Sequence, residues 1–332
     1  MNGPTRRALL GTVAGGACLA LAGCISGSDD DPDETDDNNS DDDPRTGEPD
    51  QLQSRFPDEE FPEDCPEYDG VDRVICYDAV DPETVPAVLE PTARTVAEGD
   101  SIDFTLYNRS ESKLSTNFYN WRIHKRVDGE WYHVAPHEYP EPLMAVEPDD
   151  SHTWTVSIDN SGIVDGEPVP RMSGTEQLTL GGVGGGHYAF RARGWFEGES
   201  YQEAIAFAAT FEFDGPPIQL TTTNSIESTE WDGETLVATS TRGDPDNEYS
   251  KKGAFELQRV SDPAGNVQPV ITEQVLRTEQ LRDTIALAFE YDADRVRLEE
   301  YNGVTPIFGS NSDRVYEFQG SYYEVTTSII EE

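Results

Sequence analysis

Between about residue 80 and residue 214 apolar and polar side chains alternate, the period of two expected of strands with one buried face. Ile102, Phe104 and Leu106 line one face of a strand that follows Gly99 and Asp100. Tyr119, Trp121 and Ile123 line the next, and Asp128 with Gly129 turns the chain back toward Trp131 as a hairpin. Trp154, Val156 and Ile158 repeat the stripe. So do Tyr188, Phe190 and Ala192, and then Ile205, Phe207, Ala209, Phe211 and Phe213. About seven strands with almost no helical period predict two antiparallel sheets packed as a sandwich. The pattern changes after Pro216 and Pro217, a pair that reads as a domain boundary. Beyond it strands are expected at 235–241, 254–260, 270–276, 296–301, 315–318 and 322–326. Thr278 is placed as the N-cap of a helix of about three turns, with Leu281, Ile285 and Ala288 at helical spacing. The fold class expected is mostly β: an antiparallel β-sandwich followed by a small α+β domain.

Three segments carry a family resemblance. Gly99-Asp100-Ser101-Ile102-Asp103-Phe104-Thr105-Leu106-Tyr107-Asn108 resembles the second strand of the immunoglobulin-like domains of prokaryotic surface proteins. Asp128-Gly129-Glu130-Trp131-Tyr132 resembles their hairpin, and Gly186-His187-Tyr188-Ala189-Phe190 their penultimate strand. The resemblance implies that Tyr188 forms a tyrosine corner and that Trp121 is the core tryptophan of the third strand. The inter-sheet disulfide of that family has no counterpart here. Such sandwiches host many unrelated roles, so the resemblance concerns fold and hardly touches function.

Ahead of this region the chain reads as an export signal. Arg6 and Arg7 precede a stretch of small and apolar residues, as in signals of the twin-arginine route. Leu21-Ala22-Gly23-Cys24 resembles a lipobox, in which Cys24 is lipidated and becomes the new N-terminus. The uncharged run from Ala8 to Ser28 also fits a retained membrane span, which needs roughly 17–25 apolar residues. Either reading puts the rest of the chain outside, attached to the membrane. The expected organisation is a lipoprotein signal over 1–24, an acidic tether over 25–64, the immunoglobulin-like sandwich over 65–214 and the α+β domain over 215–332.

Charge sharpens this picture. The chain has 66 acidic and 23 basic residues, a formal net charge of −43, and only Lys113, Lys125, Lys251 and Lys252 are lysines. Residues 29–64 hold 17 acids against Arg45 and Arg55 and almost no aliphatic side chain, a composition that predicts disorder. The excess continues through the folded part, where self-repulsion normally destabilises a compact state. At about 1 M salt the Debye length falls to roughly 3 Å and screens that repulsion. Acid-rich, lysine-poor composition over the whole chain therefore resembles haloarchaeal proteins. Nucleic-acid partners are excluded, since they demand clustered Lys and Arg.

Candidate chemistry is sparse. With Cys18 in the signal, Cys65 and Cys76 remain, and outside the cytosol such a pair is expected to form a disulfide. His124, His133, His137, His152 and His187 show no metal-ligand spacing, because Pro136 interrupts the one i,i+4 pair, and they read as surface or loop residues. The glycine run 181–186 lacks the Lys-Ser/Thr of a phosphate loop and is expected to be a flexible approach to the Tyr188 strand. No nucleophile elbow occurs. No cofactor, metal or catalytic residue is expected. Trp195, Trp231, Tyr322 and Tyr323 are the candidate recognition aromatics, for sugars or peptides. The expectation is a non-enzymatic envelope lipoprotein, held to the membrane by a lipid on Cys24 and facing an unknown envelope protein or glycan. A solute-binding lipoprotein of a transporter and a secreted hydrolase are the alternatives.

Overall fold

In the computed structural model the residues described are 55–57, 61–170, 174–309 and 314–330. Arg6, Arg7, Cys24 and most of the acidic stretch lie outside them. The described residues belong to one compact unit, and no helix among them is long and apolar enough to cross a membrane.

The alternation in the first half builds two sheets. One has four strands in the order β10-β9-β4-β2, from β2 (Ala87–Pro91), β4 (Ser101–Asn108), β9 (Ser151–Ile158) and β10 (Gln177–Leu180). The other has eight: β1 (Arg73–Cys76), β3 (Thr95–Ala97), β5 (Leu114–Thr116), β6 (Arg122–Val127), β7 (Glu130–Ala135), β8 (Met144–Val146), β11 (Gly186–Phe196) and β12 (Ile205–Asp214). Their inner faces share one core. Phe104 of the smaller sheet stacks on Phe190 at 4.5 Å and meets Phe211 at 5.4 Å in the larger one. Trp154 is wholly buried beside them, and Trp121 lies parallel to Phe190 at 6.0 Å. The Tyr188 hydroxyl donates to Gly184 O, four residues upstream, at 2.5 Å.

Both sheets are mixed, where antiparallel sheets were expected. β12 is long enough to take β1 beside Ile205–Ala208 and β3 beside Glu212–Asp214, both parallel. β10 reaches the parallel edge of β9 through a crossover carrying the short helix α1 (Ser161–Val164). Tyr119 does not continue the β6 stripe, because the Asn117 side chain accepts Tyr119 N at 2.9 Å and closes a turn first.

The second half forms a seven-stranded mixed sheet in the order β13-β14-β17-β15-β19-β18-β16. Its strands are β13 (Ile226–Asp232), β14 (Thr235–Ser240), β15 (Lys251–Val260), β16 (Val267–Pro269), β17 (Arg295–Asn302), β18 (Arg314–Phe318) and β19 (Ser321–Ile329). Helix α3 (Glu279–Glu290) lays Leu281, Ile285 and Ala288 against Leu236, Phe255, Leu257 and Leu298. Thr278 is its N-cap residue, but its hydroxyl makes no capping bond.

The strand expected at 270–276 is instead a helical turn, α2 (Thr272–Val275). Gln274 Oε1 accepts Ile271 N at 3.1 Å, and the turn carries Glu273 into a buried ion pair with Lys125 of β6 at 2.5 Å. The glycine run differs from expectation in the same place. Lys125, Tyr188 and Arg277 donate to the carbonyls of Gly184, Gly184 and Gly182, at 3.3, 2.5 and 2.9 Å. A Cβ at Gly185 would collide with the Gly215 carbonyl, so glycine here serves close approach and the loop is packed.

The segment after Pro216 and Pro217 is bound rather than free. Arg282, fully buried, donates to Thr221 O at 2.7 Å and to Glu167 O at 2.8 Å. Asp283 accepts Thr223 N at 2.5 Å and pairs with Arg242 at 2.7 Å.

Candidate functional site

The side of the eight-stranded sheet that faces away from the core is built by the second half of the same alternation. On β11, Tyr188, Phe190, Ala192 and Phe196 are in the core, so Arg191, Arg193 and Trp195 share the opposite face. β6 adds Arg122 and His124 beside Arg191 and Ala189, and β7 sets His133 opposite His124. This face is roofed by the loop that Cys65 and Cys76 close as a disulfide. Cys65, Tyr68, Val74 and Cys76 pack there on Ala206 and Ala208 of β12.

Three arginines meet on this surface. Arg191 donates to Asn120 O at 3.1 Å and to Asn120 Oδ1 at 3.3 Å, with its guanidinium 5.2 Å from the Tyr68 ring centre. Arg193 donates to Gly70 O at 2.8 Å and Tyr201 O at 3.2 Å, and its guanidinium lies 4.2 Å from the Tyr201 ring centre. Arg122 donates to His133 Nε2 at 3.2 Å and lies over Tyr139. Among the described residues none of the three has a carboxylate within ion-pair distance. In a chain with 66 acids this is a local exception to the prevailing charge. Arg191 and Arg193 are 4% and 9% exposed, and among the described residues the Nε of each is buried without a hydrogen-bond partner, as is Tyr68 OH.

The histidines respond to this field. Burial, then His133 and the nearby Arg191 and Arg122, depress His124 to about 2. Burial and Arg122 depress His133 to about 3. Both are neutral at physiological pH, so the positive charge of the face belongs to its arginines. Burial lowers Arg191 itself to about 10, which leaves it charged at neutral pH. His124 and His133 are thus members of a half-buried cluster, not the surface or loop residues expected.

Beside Arg193 the face opens into a pocket of about 280 Å³, walled by Asn120, Tyr139, Glu141, Arg193, Trp195 and Tyr201. Trp195 and Tyr201 stand at 84° with ring centres 5.2 Å apart, giving a right-angled aromatic corner. Trp195 is the one sequence-proposed aromatic that lines it. Trp231 is 52% exposed on β13, beside Arg259 in a separate open depression. Tyr322 is half-buried at the start of β19. Tyr323 is sealed in the second core and presents nothing for recognition, because it lies with Val325 on the buried face of β19. The four candidates therefore do not converge.

Tyr201, Arg193, Asn120 and Tyr139 were missed by sequence reasoning. The signal for Arg193 was present: Arg191 and Arg193 stand two apart on an apolar strand, so they share its unburied face. Tyr201 and Asn120 sit in turns, whose approach to the strand no periodicity encodes. Among the described residues no group of three His, Cys, Asp or Glu is placed to hold a metal ion. No protein-family model matches this chain, and no curated protein matches it either.

Proposed function

We propose that this chain is a non-enzymatic, lipid-anchored binding module of the cell envelope. In this reading Arg6 and Arg7 route it through twin-arginine export, Cys24 carries the lipid, and the acidic sequence before Cys65 is the spacer. The bulk of the chain then stands on the outer face of the membrane, in a salt-rich setting of the haloarchaeal kind. The two sheets that share a core, the buried Trp121 and the Tyr188–Gly184 bond support an immunoglobulin-like sandwich as the presenting element. The 215–332 region is then its companion domain.

One observation carries the binding role: a concave aromatic corner lies beside Arg193, which has no carboxylate within ion-pair distance among the described residues. Arg193 borders the pocket and its Nη1 has no hydrogen-bond partner among the described residues, a charged donor offered to a ligand in a concave aromatic site. The disulfide at the roof supports an oxidising compartment.

The test is a photo-crosslinking residue at Leu143, a pocket-wall position that is 74% exposed, used in intact cells at native salt. The expected result is an envelope component captured from Leu143 but not from Tyr249, an equally exposed position elsewhere. Equal capture from both positions, or none from Leu143, would refute the binding role.

A further inference from the structure

We propose that the pocket between Arg193, Asn120, Glu141, Trp195 and Tyr201 is a binding site for an acidic sugar, a ring bearing one carboxylate and several hydroxyls. The inference rests on the binding-module reading above and names its ligand class.

The donors come first. Arg193 uses Nη2 on Gly70 O and Tyr201 O, and its Nη1 makes no hydrogen bond among the described residues. Asn120 Oδ1 accepts from Arg191, which fixes the amide and leaves Nδ2 without a partner among them. An arginine N–H and an amide N–H lining one pocket suit a carboxylate, and charge-assisted bonds of this kind are the strong ones. Arg193 is held for the task, stacked on Tyr201 and tied to the carbonyl of Gly70 in the disulfide loop.

The aromatic corner and Glu141 decide what carries the carboxylate. Arg193 lies over the Tyr201 ring, Tyr201 is still 58% exposed, and Trp195 stands to it at 84°. Two flat apolar walls accept the C–H face of a pyranose ring. Glu141 is exposed on the rim and is an acceptor only, so it repels a second anion but takes hydroxyl donors. A polyanion such as nucleic acid is further disfavoured by the net charge of −43. For a single carboxylate, molar salt screens that long-range repulsion to within roughly 3 Å, while direct contacts in the pocket persist. The pocket volume of about 280 Å³ admits one such ring.

The experiment is calorimetric titration of the full chain in molar salt with glucuronic acid, glucose and acetate. Glucuronic acid should bind at least about tenfold more tightly than glucose or acetate, the scale of a charged hydrogen bond. Arg193→Lys should weaken it about tenfold or more by removing the planar fork. Tyr201→Ala should weaken it several-fold, and Trp231→Ala should leave it unchanged. Arg193 is buried, so the exposed Tyr201 carries the test if Arg193→Lys alters the circular dichroism. Absence of glucuronic acid binding, equal affinity for glucose, or wild-type affinity in Tyr201→Ala would overturn the proposal. If Leu143 still captured a cellular component in that case, the ligand class alone would have failed. If it captured none, the binding role would have failed too.

Discussion

His124 and His133 lie on neighbouring strands under a field set by Arg122 and Arg191, with His137 and Tyr68 packed against them. Their ordinary value is 6.5, and burial holds them at about 2 and about 3 in the folded chain. An unfolded chain therefore takes up protons below about pH 6.5 that the folded chain refuses. Their contribution to stability is complete above that pH and is lost progressively as the pH falls toward about 3. Imidazole resonances followed by NMR from pH 8 to 5 should show neither residue titrating. A midpoint near 6.5 for either would remove the buried cluster from the account. At this scale the sequence was half legible. It showed that Tyr188, Phe190 and Ala192 share a face, and the same period implied that Arg191 and Arg193 share the other. That the disulfide loop would roof this other face depends on tertiary packing of Tyr68, which has no local signature.

Among elements, the strands with strict alternation were read correctly and the short edges were not. β4 and β9 alternate over eight residues each. Short strands such as β3, β5 and β8 are three residues long, too brief for a period to register. The stretch 270–276 looked like a strand because Val270, Ile271, Val275 and Leu276 are apolar. It turns instead because a helical turn lets Glu273 reach Lys125 and accept Gly184 N at 3.1 Å. This pair ties α2 to β6. Lys125→Met alone leaves a buried carboxylate unpaired and should cost about 3–5 kcal/mol in chemical denaturation. The double variant Lys125→Met with Glu273→Leu should recover at least half of that, since removing both charges removes the desolvation penalty as well. Additive losses would show that the two side chains do not act as a pair.

For the whole molecule the governing quantity is charge. With 66 acids and 23 bases the folded chain repels itself, and ion pairs such as Arg94–Asp78 and Arg109–Glu90 offset only a fraction of that. The melting temperature should rise steadily with potassium chloride into the molar range, with cooperative folding lost in dilute buffer. A cooperative transition in dilute buffer, unchanged by salt, would contradict the high-salt habitat. Composition carries the charge directly, whereas the pairing of sheets does not follow from it. The parallel joins of β1 and β3 to β12 connect residues more than a hundred positions apart, and no window of sequence carries that information. In the proposed reading all of this is presented from a lipid on Cys24. Mass spectrometry of the mature chain purified from membranes tests it most directly. The expected N-terminal peptide begins at Cys24 and bears a lipid mass. An unmodified chain that begins at Met1 would contradict it.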